Sequence, residues 1–249
     1  MSLETLKQIG RIPRQYWRKF NSTYLAPHGL GYWRPLVPAE EFTVTVAQSL
    51  DVLLEQETIS DLGAYLEFGV SRGTSMSCVH RELTRRKIAG MRLVGFDSFE
   101  GMPEESAEEG WTPGAYRSTL AATKAYMASQ GVTFDNVELV KGWFDQTLTP
   151  ETKARLGLRK ASIINYDCDT YSATKLAMEF SLPLIERRAV VIFDDWGARS
   201  DRDMLGQREA FQELVADRTE FQVEPRSAYC DRARVFLFTR IASGTVALS

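Results

Sequence analysis

The sequence of 249 residues predicts a three-layer α/β fold, in which helices cover both faces of a mostly parallel sheet. Three observations predict it: seven short, β-rich apolar runs, helical periodicity between the first five runs, and a loop instead of a helix between the last two. Strands that alternate with helices pair in parallel through right-handed crossovers. The two loop-connected strands are expected to pair antiparallel, which places one reversed strand in the sheet.

The predicted elements follow one another from residue 64 onward. The strands are expected at residues 64–70, 92–97, 137–142, 161–167, 189–195, 220–225 and 234–240. The helices between them are expected at residues 74–87, 118–130, 172–185 and 204–216. Parallel strands buried between two helical layers read as apolar runs, as the first five do here.

The N-terminal region differs from the rest of the chain. Residues 1–60 precede the alternation and are predicted to be mainly helical, most clearly at residues 44–56. Residues 24–38 contain so many prolines, glycines and aromatic residues that they cannot form one regular element. We therefore expect a helical lid or subunit-contact extension at residues 1–60 and the α/β domain at residues 61–249. The apolar, aromatic extension predicts a homodimer or a higher homo-oligomer.

Composition and charge argue against several classes of protein. The formal net charge is only −3, so no global field would hold a polyanion, and nucleic acid is not an expected partner. The longest uninterrupted apolar stretch, residues 189–193, is far below the roughly 20 residues that span a bilayer, so no membrane partner is expected. The first residues lack an apolar signal region, which predicts a cytoplasmic protein. Three scattered cysteines fit neither a disulfide framework nor a C-x-x-C metal site.

The first strand runs into a glycine-bearing turn and a helix N-terminus. Glu67, Gly69, Gly73, Thr74 and Ser75 form the pattern E-x-G-x-x-x-G-T-S. The amides and positive dipole end of such a helix suit a carboxylate or a phosphate. The pattern lacks the close glycine pair of dinucleotide-binding folds and the G-K-[ST] of a phosphate-binding loop. A tight strand-to-helix turn can also require glycine for structural reasons alone.

The second strand ends in Asp97, where an acid can accept both hydrogen bonds of a ribose diol. Together with the turn after the first strand, Asp97 predicts an adenosine-containing ligand. Because no pyrophosphate motif is present, a nucleoside with an amino-acid tail is favoured over NAD or FAD, and S-adenosylmethionine fits best. The alternative is that Asp97 is an ordinary polar residue closing a strand.

Acidic residues also follow the fourth and fifth strands. Asp167 and Asp169 end one strand, and Asp194 and Asp195 end the next. Neighbouring parallel strands lie about 4.8 Å apart, so these carboxylates should meet at one place. Like charges there repel unless a cation neutralises them, and hard oxygen ligands select Mg²⁺ or a similar ion. The alternatives are that Asp194 or Asp195 caps the following segment, or that Asp169 pairs with an arginine.

Five segments together resemble the macrocin O-methyltransferases, a branch of the class I S-adenosylmethionine-dependent methyltransferases. They are LEFGVSRGTS at residues 66–75, GFDSFEGMPE at 95–104, KGWFDQTL at 141–148, DCDTYSATKLAMEF at 167–180 and VVIFDDW at 190–196. The resemblance implies a seven-stranded Rossmann-like methyltransferase sheet and a Mg²⁺-dependent methyl transfer to a hydroxyl group. The implied acceptor is a small molecule, typically a sugar or a phenol on a natural product.

Carried over residue by residue, the resemblance implies roles for the candidate site residues. The methionine end of S-adenosylmethionine would lie against Glu67, Gly69, Gly73, Thr74 and Ser75. Its ribose would be held by Asp97 and Ser98, and its adenine would lie near Gly142 and Trp143. Mg²⁺ would be held by Asp167, Asp194 and Asp195. Asp169 would be the general base for the acceptor hydroxyl.

Two other functions fit the same pattern less well. A non-catalytic nucleoside-binding module with this fold would be expected to lack the metal-binding acids or Asp169, and all are present. An NAD-dependent oxidoreductase would be expected to carry the G-x-G-x-x-G pattern, which this sequence lacks. The acidic loop at residues 100–116, with Trp111 and Tyr116, either covers the acceptor or is an exposed variable loop.

Overall fold

The computed structural model describes residues 14–197, 205–216 and 218–241. The strands are β1 Ala64–Phe68, β2 Leu93–Asp97, β3 Val137–Lys141, β4 Ala161–Tyr166, β5 Arg188–Phe193, β6 Phe221–Arg226 and β7 Arg234–Arg240. The α-helices are α1 Arg14–Phe20, α2 Ala39–Leu54, α3 Thr74–Arg86, α4 Leu120–Ser129, α5 Phe144–Thr147, α6 Pro150–Leu156, α7 Tyr171–Ser181 and α8 Gln207–Val215. Helices lie on both faces of a seven-stranded sheet with the order β3-β2-β1-β4-β5-β7-β6.

The strand pairing confirms the predicted fold class. β1 to β5 pair in parallel with one another. β7 is the reversed strand, lies between β5 and β6, and pairs antiparallel with both. Two predicted strands run two residues past the observed ends, because residues 69–70 and 194–195 leave the sheet and form the turns of the site described below.

Three helices differ from the sequence prediction by three residues or more at one end. α2 begins at Ala39, directly after Pro38, and carries two glutamates in its first turn, where carboxylates interact favourably with the helix dipole. α7 ends at Ser181 and gives way to a 3-10 turn, because Pro183 has no amide to donate to a longer helix. α8 covers most of the helix predicted at residues 204–216, and residue 204 lies outside the described residues.

Alternate residues of the central strands supply two hydrophobic cores, one on each face of the sheet. Phe68, Phe96 and Tyr166 belong to the first core, where the rings of Phe68 and Phe96 stack at 5.3 Å. Tyr65 and Ile163 belong to the second core, beneath α2 and α3. Because both faces are covered, every residue of β1, β4 and β5 is buried. The sheet is therefore a rigid base for the turns at its carboxyl edge.

The described part of the N-terminal region is mostly helical and joins the second core through α2. Phe42, Val46, Leu50 and Leu53 are buried there, and α2 packs against α3 and β5. Ahead of α2, several large aromatic side chains lie at the surface. Residues 1–13 of the predicted extension lie outside the described residues. Within the part of the chain that the structure describes, no helix is both long and apolar enough to cross a membrane.

Candidate active site

A cavity of about 1100 Å³ opens at the carboxyl ends of the parallel strands. Ligands of open α/β sheets bind at this edge. The walls come from the turns after β1 to β5, from residues 33–38 ahead of α2 and from the acidic loop after β2. The predicted site residues that line it are Gly69, Thr74, Ser75, Asp97, Ser98, Gly142, Trp143, Asp167, Asp169, Asp194 and Asp195. Gly73 and Glu67 lie behind this wall.

The turn after β1 needs glycine at two positions. Gly69 has a φ of 93°, and a Cβ there would lie 1.8 Å from the carbonyl oxygen of Asp167. Gly73 has a φ of 84° and is the N-cap of α3, where a Cβ would meet the Met127 side chain at 2.6 Å. The turn therefore packs directly against the end of β4. The 13-residue helix α3 then starts at the cavity wall and directs its positive dipole end toward the cavity.

Glu67 is fully buried beneath this turn, so the structure corrects the expectation that it lines the cavity. Side chains alternate along β1, and Glu67 points toward the second core, as Tyr65 does. Its carboxylate accepts hydrogen bonds from Ser75 Oγ at 2.6 Å, from Asn165 Nδ2 at 3.4 Å and from the Tyr65 hydroxyl. Burial raises the pKa of Glu67 to about 7 against the opposing effect of these bonds. Glu67 therefore acts on the cavity through Ser75.

Asp97 faces the cavity from the end of β2, but the protein uses much of its acceptor capacity. Its Oδ2 accepts from the amides of Val70 and Ser71, each at 2.8 Å. Its Oδ1 accepts from the Phe99 amide at 2.5 Å. Burial raises the pKa of Asp97, and the three amide bonds lower it. The carboxylate therefore fixes the turn after β1, and Oδ1 keeps acceptor capacity for a ligand.

Ser98, Gly142 and Trp143 complete this side of the cavity. Ser98 Oγ donates to the carbonyl of Gly101 at 3.1 Å, which closes a tight turn after β2. The Gly142 amide donates to the Asp97 carbonyl at 3.0 Å, so the end of β3 lies beside the end of β2. Trp143 is the N-cap of α5 and lines the cavity. The residues expected near the ribose and the adenine therefore share one wall.

Three carboxylates meet at the ends of β4 and β5, which are neighbours in the sheet. Asp167, Asp194 and Asp195 each offer an oxygen atom, and these atoms lie within 4.8 Å of one another. Burial and the repulsion from Asp194 and Asp195 raise the pKa of Asp167 well above its usual range. Burial and the charge of Asp195 raise the pKa of Asp194 to about 7. We call these three residues the acid cluster.

The loop between β6 and β7 contacts the acid cluster. No sequence pattern predicts this contact. The Tyr229 hydroxyl donates to Asp194 Oδ1, and Arg232 Nη1 lies 3.5 Å from Asp195 Oδ1. Among the described residues, Arg232 is the one cation paired with the cluster, and 60% of its side chain is exposed. One exposed guanidinium does not balance three carboxylates in a buried site. The donor set of hard oxygen atoms therefore fits Mg²⁺ or a similar divalent cation.

Asp169 lines the cavity just beyond the acid cluster. Its φ is 60°, a left-handed conformation that Asp tolerates better than most residues. The turn is closed by the Thr170 amide, which donates to the Cys168 carbonyl at 2.6 Å. Burial and the charge of Asp195 raise the pKa of Asp169 well above its usual range. The structure thus brings all four predicted acids into one cavity.

A buried arginine ties the N-terminal region to the turn after β1. We call residues 29–38 the strap, and its second half lines the cavity. Arg72 is 5% exposed and donates to the Ala26 carbonyl and, at 2.9 Å, to Ser118 Oγ. Its guanidinium lies 4.9 Å from the centre of the Trp33 ring. The aromatic stretch in the sequence signalled an irregular segment here, whereas nothing in the sequence signalled Arg72.

The acidic loop at residues 100–116 is held over the cavity by a helix end. Glu109 accepts hydrogen bonds from the amides of Tyr171 and Ser172, at 2.6 Å and 3.3 Å, at the start of α7. Glu104, Glu105 and Tyr116 line the cavity. The loop is therefore part of the cavity wall, which is a requirement of the prediction that it covers the acceptor.

Comparison with known proteins gives consistent findings. A family model described as Macrocin-O-methyltransferase (TylF) matches residues 44–219. A protein of Streptomyces olivaceus, named 8-demethyl-8-(2,3-dimethoxy-alpha-L-rhamnosyl)-tetracenomycin-C 4'-O-methyltransferase, is 30% identical over 152 residues. That match covers 57% of this chain and 56% of the relative, so the chain spans little more than half the length of the relative.

Solved structures share the fold. The O-methyltransferase NovP superposes with a TM-score of 0.64 at 16% identity, over 80% of this chain and 79% of that chain. CalS11, a calicheamicin methyltransferase, superposes with a TM-score of 0.61 at 19% identity, over 95% of this chain and 89% of that chain. At these identities the similarity establishes the architecture of the sheet and its helices.

Proposed function

The chain belongs to the macrocin O-methyltransferase family, and on this premise we propose that it transfers a methyl group from S-adenosylmethionine to a sugar hydroxyl group of a natural product, with Mg²⁺. The observation that carries the proposal is a single cavity that joins a helix N-terminus, a wall suited to a nucleoside and a cluster of carboxylates. The Streptomyces olivaceus relative is named for a rhamnosyl-tetracenomycin, which supports a sugar as the acceptor.

The turn after β1 and the ends of β2 and β3 would hold S-adenosylmethionine. Its carboxylate suits the positive end of α3, where Thr74 and Ser75 begin the helix. Asp97 and Ser98 would hold the ribose, and Gly142 and Trp143 would lie near the adenine. When bound, this cofactor supplies an electrophilic methyl group on a sulfonium. Glu67 would contribute by holding the Ser75 hydroxyl in place.

The acid cluster would hold the metal ion. Asp167, Asp194 and Asp195 offer hard oxygen ligands from two adjacent strand ends. When bound, Mg²⁺ supplies positive charge that lowers the pKa of a nearby hydroxyl group. The rigid sheet beneath the cluster keeps the three carboxylates together despite their mutual repulsion.

Asp169 is proposed to take the proton of the acceptor hydroxyl. It lies on the cavity wall next to the cluster, and its tight turn fixes its backbone. A general base must lie within hydrogen-bond reach of the proton that it accepts, so position matters more than its ordinary basicity. An aliphatic hydroxyl is a weak acid, which makes the neighbouring positive charge a requirement of this role.

The N-terminal region is proposed to act as the lid of this site. Residues 33–38 line the cavity, and Arg72 joins the strap to the turn after β1. Exclusion of water from the cavity strengthens the electrostatic interactions inside it. A homodimer formed through residues 1–60 stays a separate proposal, which rests on the exposed aromatic side chains of this region.

Incubation with labelled methyl donor, Mg²⁺ and a panel of glycosylated and phenolic metabolites tests the function. We expect label on a glycoside, loss of transfer in EDTA and recovery when Mg²⁺ is restored. Transfer that persists in EDTA contradicts the metal dependence. Tight donor binding without transfer to any acceptor would support the non-catalytic nucleoside-binding module instead.

Substitution of Asp169 tests the base. Asp169→Asn should lower the turnover number by about 100-fold or more and leave donor affinity nearly unchanged, because the group acts on the acceptor. Asp231→Asn, an exposed acid in the loop between β6 and β7, is the matched control. Turnover retained in Asp169→Asn would remove Asp169 as the base while leaving the methyl-transfer assignment intact.

A further inference from the structure

We infer that Tyr229, in the loop between β6 and β7, is a positioning residue for the proposed metal ligand Asp194. Its hydroxyl donates a hydrogen bond to Asp194 Oδ1, and its ring packs on the second core. The inference rests on the proposed metal site, and it assigns a role to a residue that no sequence motif marks. Hydrogen-bond partners of metal ligands set the orientation of those ligands and so the affinity for the metal.

The sheet topology explains why this distant loop reaches the site. β7 runs antiparallel to β5, and Arg234 at its start lies opposite Phe193 at the end of β5. The loop that precedes β7 must therefore lie at the carboxyl end of β5, where Asp194 and Asp195 leave the sheet. A parallel last strand would place its preceding loop at the opposite edge. The reversed strand thus brings Tyr229 to the acid cluster.

The ring of Tyr229 is held on its other side by α2. Phe42 of α2 is fully buried and contacts the Tyr229 ring edge-on, with ring centres 5.2 Å apart. Tyrosine commonly places an apolar ring in a core and its hydroxyl on a polar partner. The direction from which the hydroxyl approaches Asp194 is therefore set by core packing and needs no bound ligand.

Different groups hold the backbone of Asp194 and Asp195 and the side chain of Asp194. The Asp194 amide donates to the Tyr166 carbonyl at 3.0 Å. Gln207 accepts from the Asp195 amide and donates to the same carbonyl, each at 3.0 Å. These bonds fix the backbone and do not act on the Asp194 carboxylate. The Tyr229 hydroxyl acts on that carboxylate, occupies one acceptor position of Oδ1 and leaves Oδ2 for a cation.

Metal titration of the full chain tests the inference without an activity assay. In Tyr229→Phe, the Mn²⁺ dissociation constant, measured by electron paramagnetic resonance, should rise about 10- to 100-fold. The substitution keeps the ring on Phe42, so donor affinity and the melting temperature in EDTA should stay near the wild-type values. Tyr171→Phe is the matched control, because its hydroxyl also donates to a carboxylate, that of Glu213, away from the cluster.

The outcomes separate this inference from the proposed function. Unchanged Mn²⁺ affinity in Tyr229→Phe overturns the positioning role and leaves the metal site standing. No Mn²⁺ binding by the wild-type chain overturns the metal site itself, and the inference with it. Should Tyr229→Phe fail to fold, the tyrosine difference absorbance of the wild-type and Tyr171→Phe proteins on Mn²⁺ addition decides. A signal that persists in Tyr171→Phe supports the contact between Tyr229 and the cluster, and its absence from Tyr171→Phe overturns it.

Discussion

Several groups in and behind the cavity wall are buried in an ionisation state that their surroundings disfavour. Among the described residues, Glu67 has no cationic hydrogen-bond donor. Asp167 lies against two other carboxylates, and Arg72 is held by neutral oxygens and an aromatic ring. Burial without a matching opposite charge is costly, so proteins concentrate such groups where function requires them. Their common location supports this cavity as the functional site.

Glu67 makes the stability of the protein depend on pH. Its folded-state pKa of about 7 lies above the ordinary value of 4.5, because burial favours the neutral acid. The stabilisation by neutral Glu67 is complete below pH 4.5 and is lost as the pH rises through 7. Relative to Glu67→Gln, the wild type should therefore lose about 3 kcal/mol of unfolding free energy across this range. Urea unfolding of both proteins at several pH values measures the difference.

The groups that face Glu67 also influence its pKa. The Tyr65 hydroxyl and Asn165 donate hydrogen bonds to the Glu67 carboxylate, and the charge of Asp97 raises the pKa of Glu67 further. Asn165 Oδ1 is buried and, among the described residues, has no hydrogen-bond partner, so it can accept from the amide of a glutamine at position 67. A difference between the two proteins that does not change with pH would show that Glu67 stays charged.

At the scale of elements, burial decides what the sequence could predict. β4 and β5 are buried along their whole length, so their apolar runs identify them and place Asp167 and Asp194 at their ends. The exact ends were not predictable, because the turns at Gly69 and Asp194 are fixed by contacts with neighbouring strand ends, such as that of Gly69 with the Asp167 carbonyl. The contacts of Arg72 and Tyr229 join residues 46 and 35 positions apart, respectively, and no local pattern encodes such contacts.

The acidic loop and α7 form one unit through Glu109. A carboxylate at a helix N-terminus contributes about 0.3–1 kcal/mol, and Glu109 accepts from two amides there. Glu109→Gln should therefore raise the acceptor KM about two- to fivefold and leave donor affinity unchanged, because the loop is proposed to cover the acceptor. Hydrogen exchange should become faster across residues 104–116. Glu108→Gln, at an exposed position beside it, is the control, and equal effects of both substitutions would contradict the anchoring role.

At the scale of the whole molecule, segments from the N-terminal and the C-terminal regions of the chain both border the site. The sheet fixes the turns and the acid cluster, the strap and α2 come from the N-terminal region, and the loop between β6 and β7 comes from the C-terminal region. Tyr229 packs on Phe42, so the two regions meet beside the cluster. The enclosure is a property of the folded chain, whereas the acids themselves could be read from the sequence.

Arg72 is the residue through which the strap and the turn after β1 should be coupled. Arg72→Met removes its hydrogen bonds to Ala26 and Ser118 and its contact with Trp33, and keeps an unbranched side chain of similar length. Hydrogen exchange in residues 29–38 should become faster, and donor affinity should fall about tenfold, the effect of about 1.4 kcal/mol. Exchange in β1 and β4 should not change, because every residue of both strands is buried within the sheet. Arg85→Met, on the exposed face of α3, is the control. If Arg72→Met loosens the strap at unchanged donor affinity, the strap is a structural cover and the lid proposal is wrong.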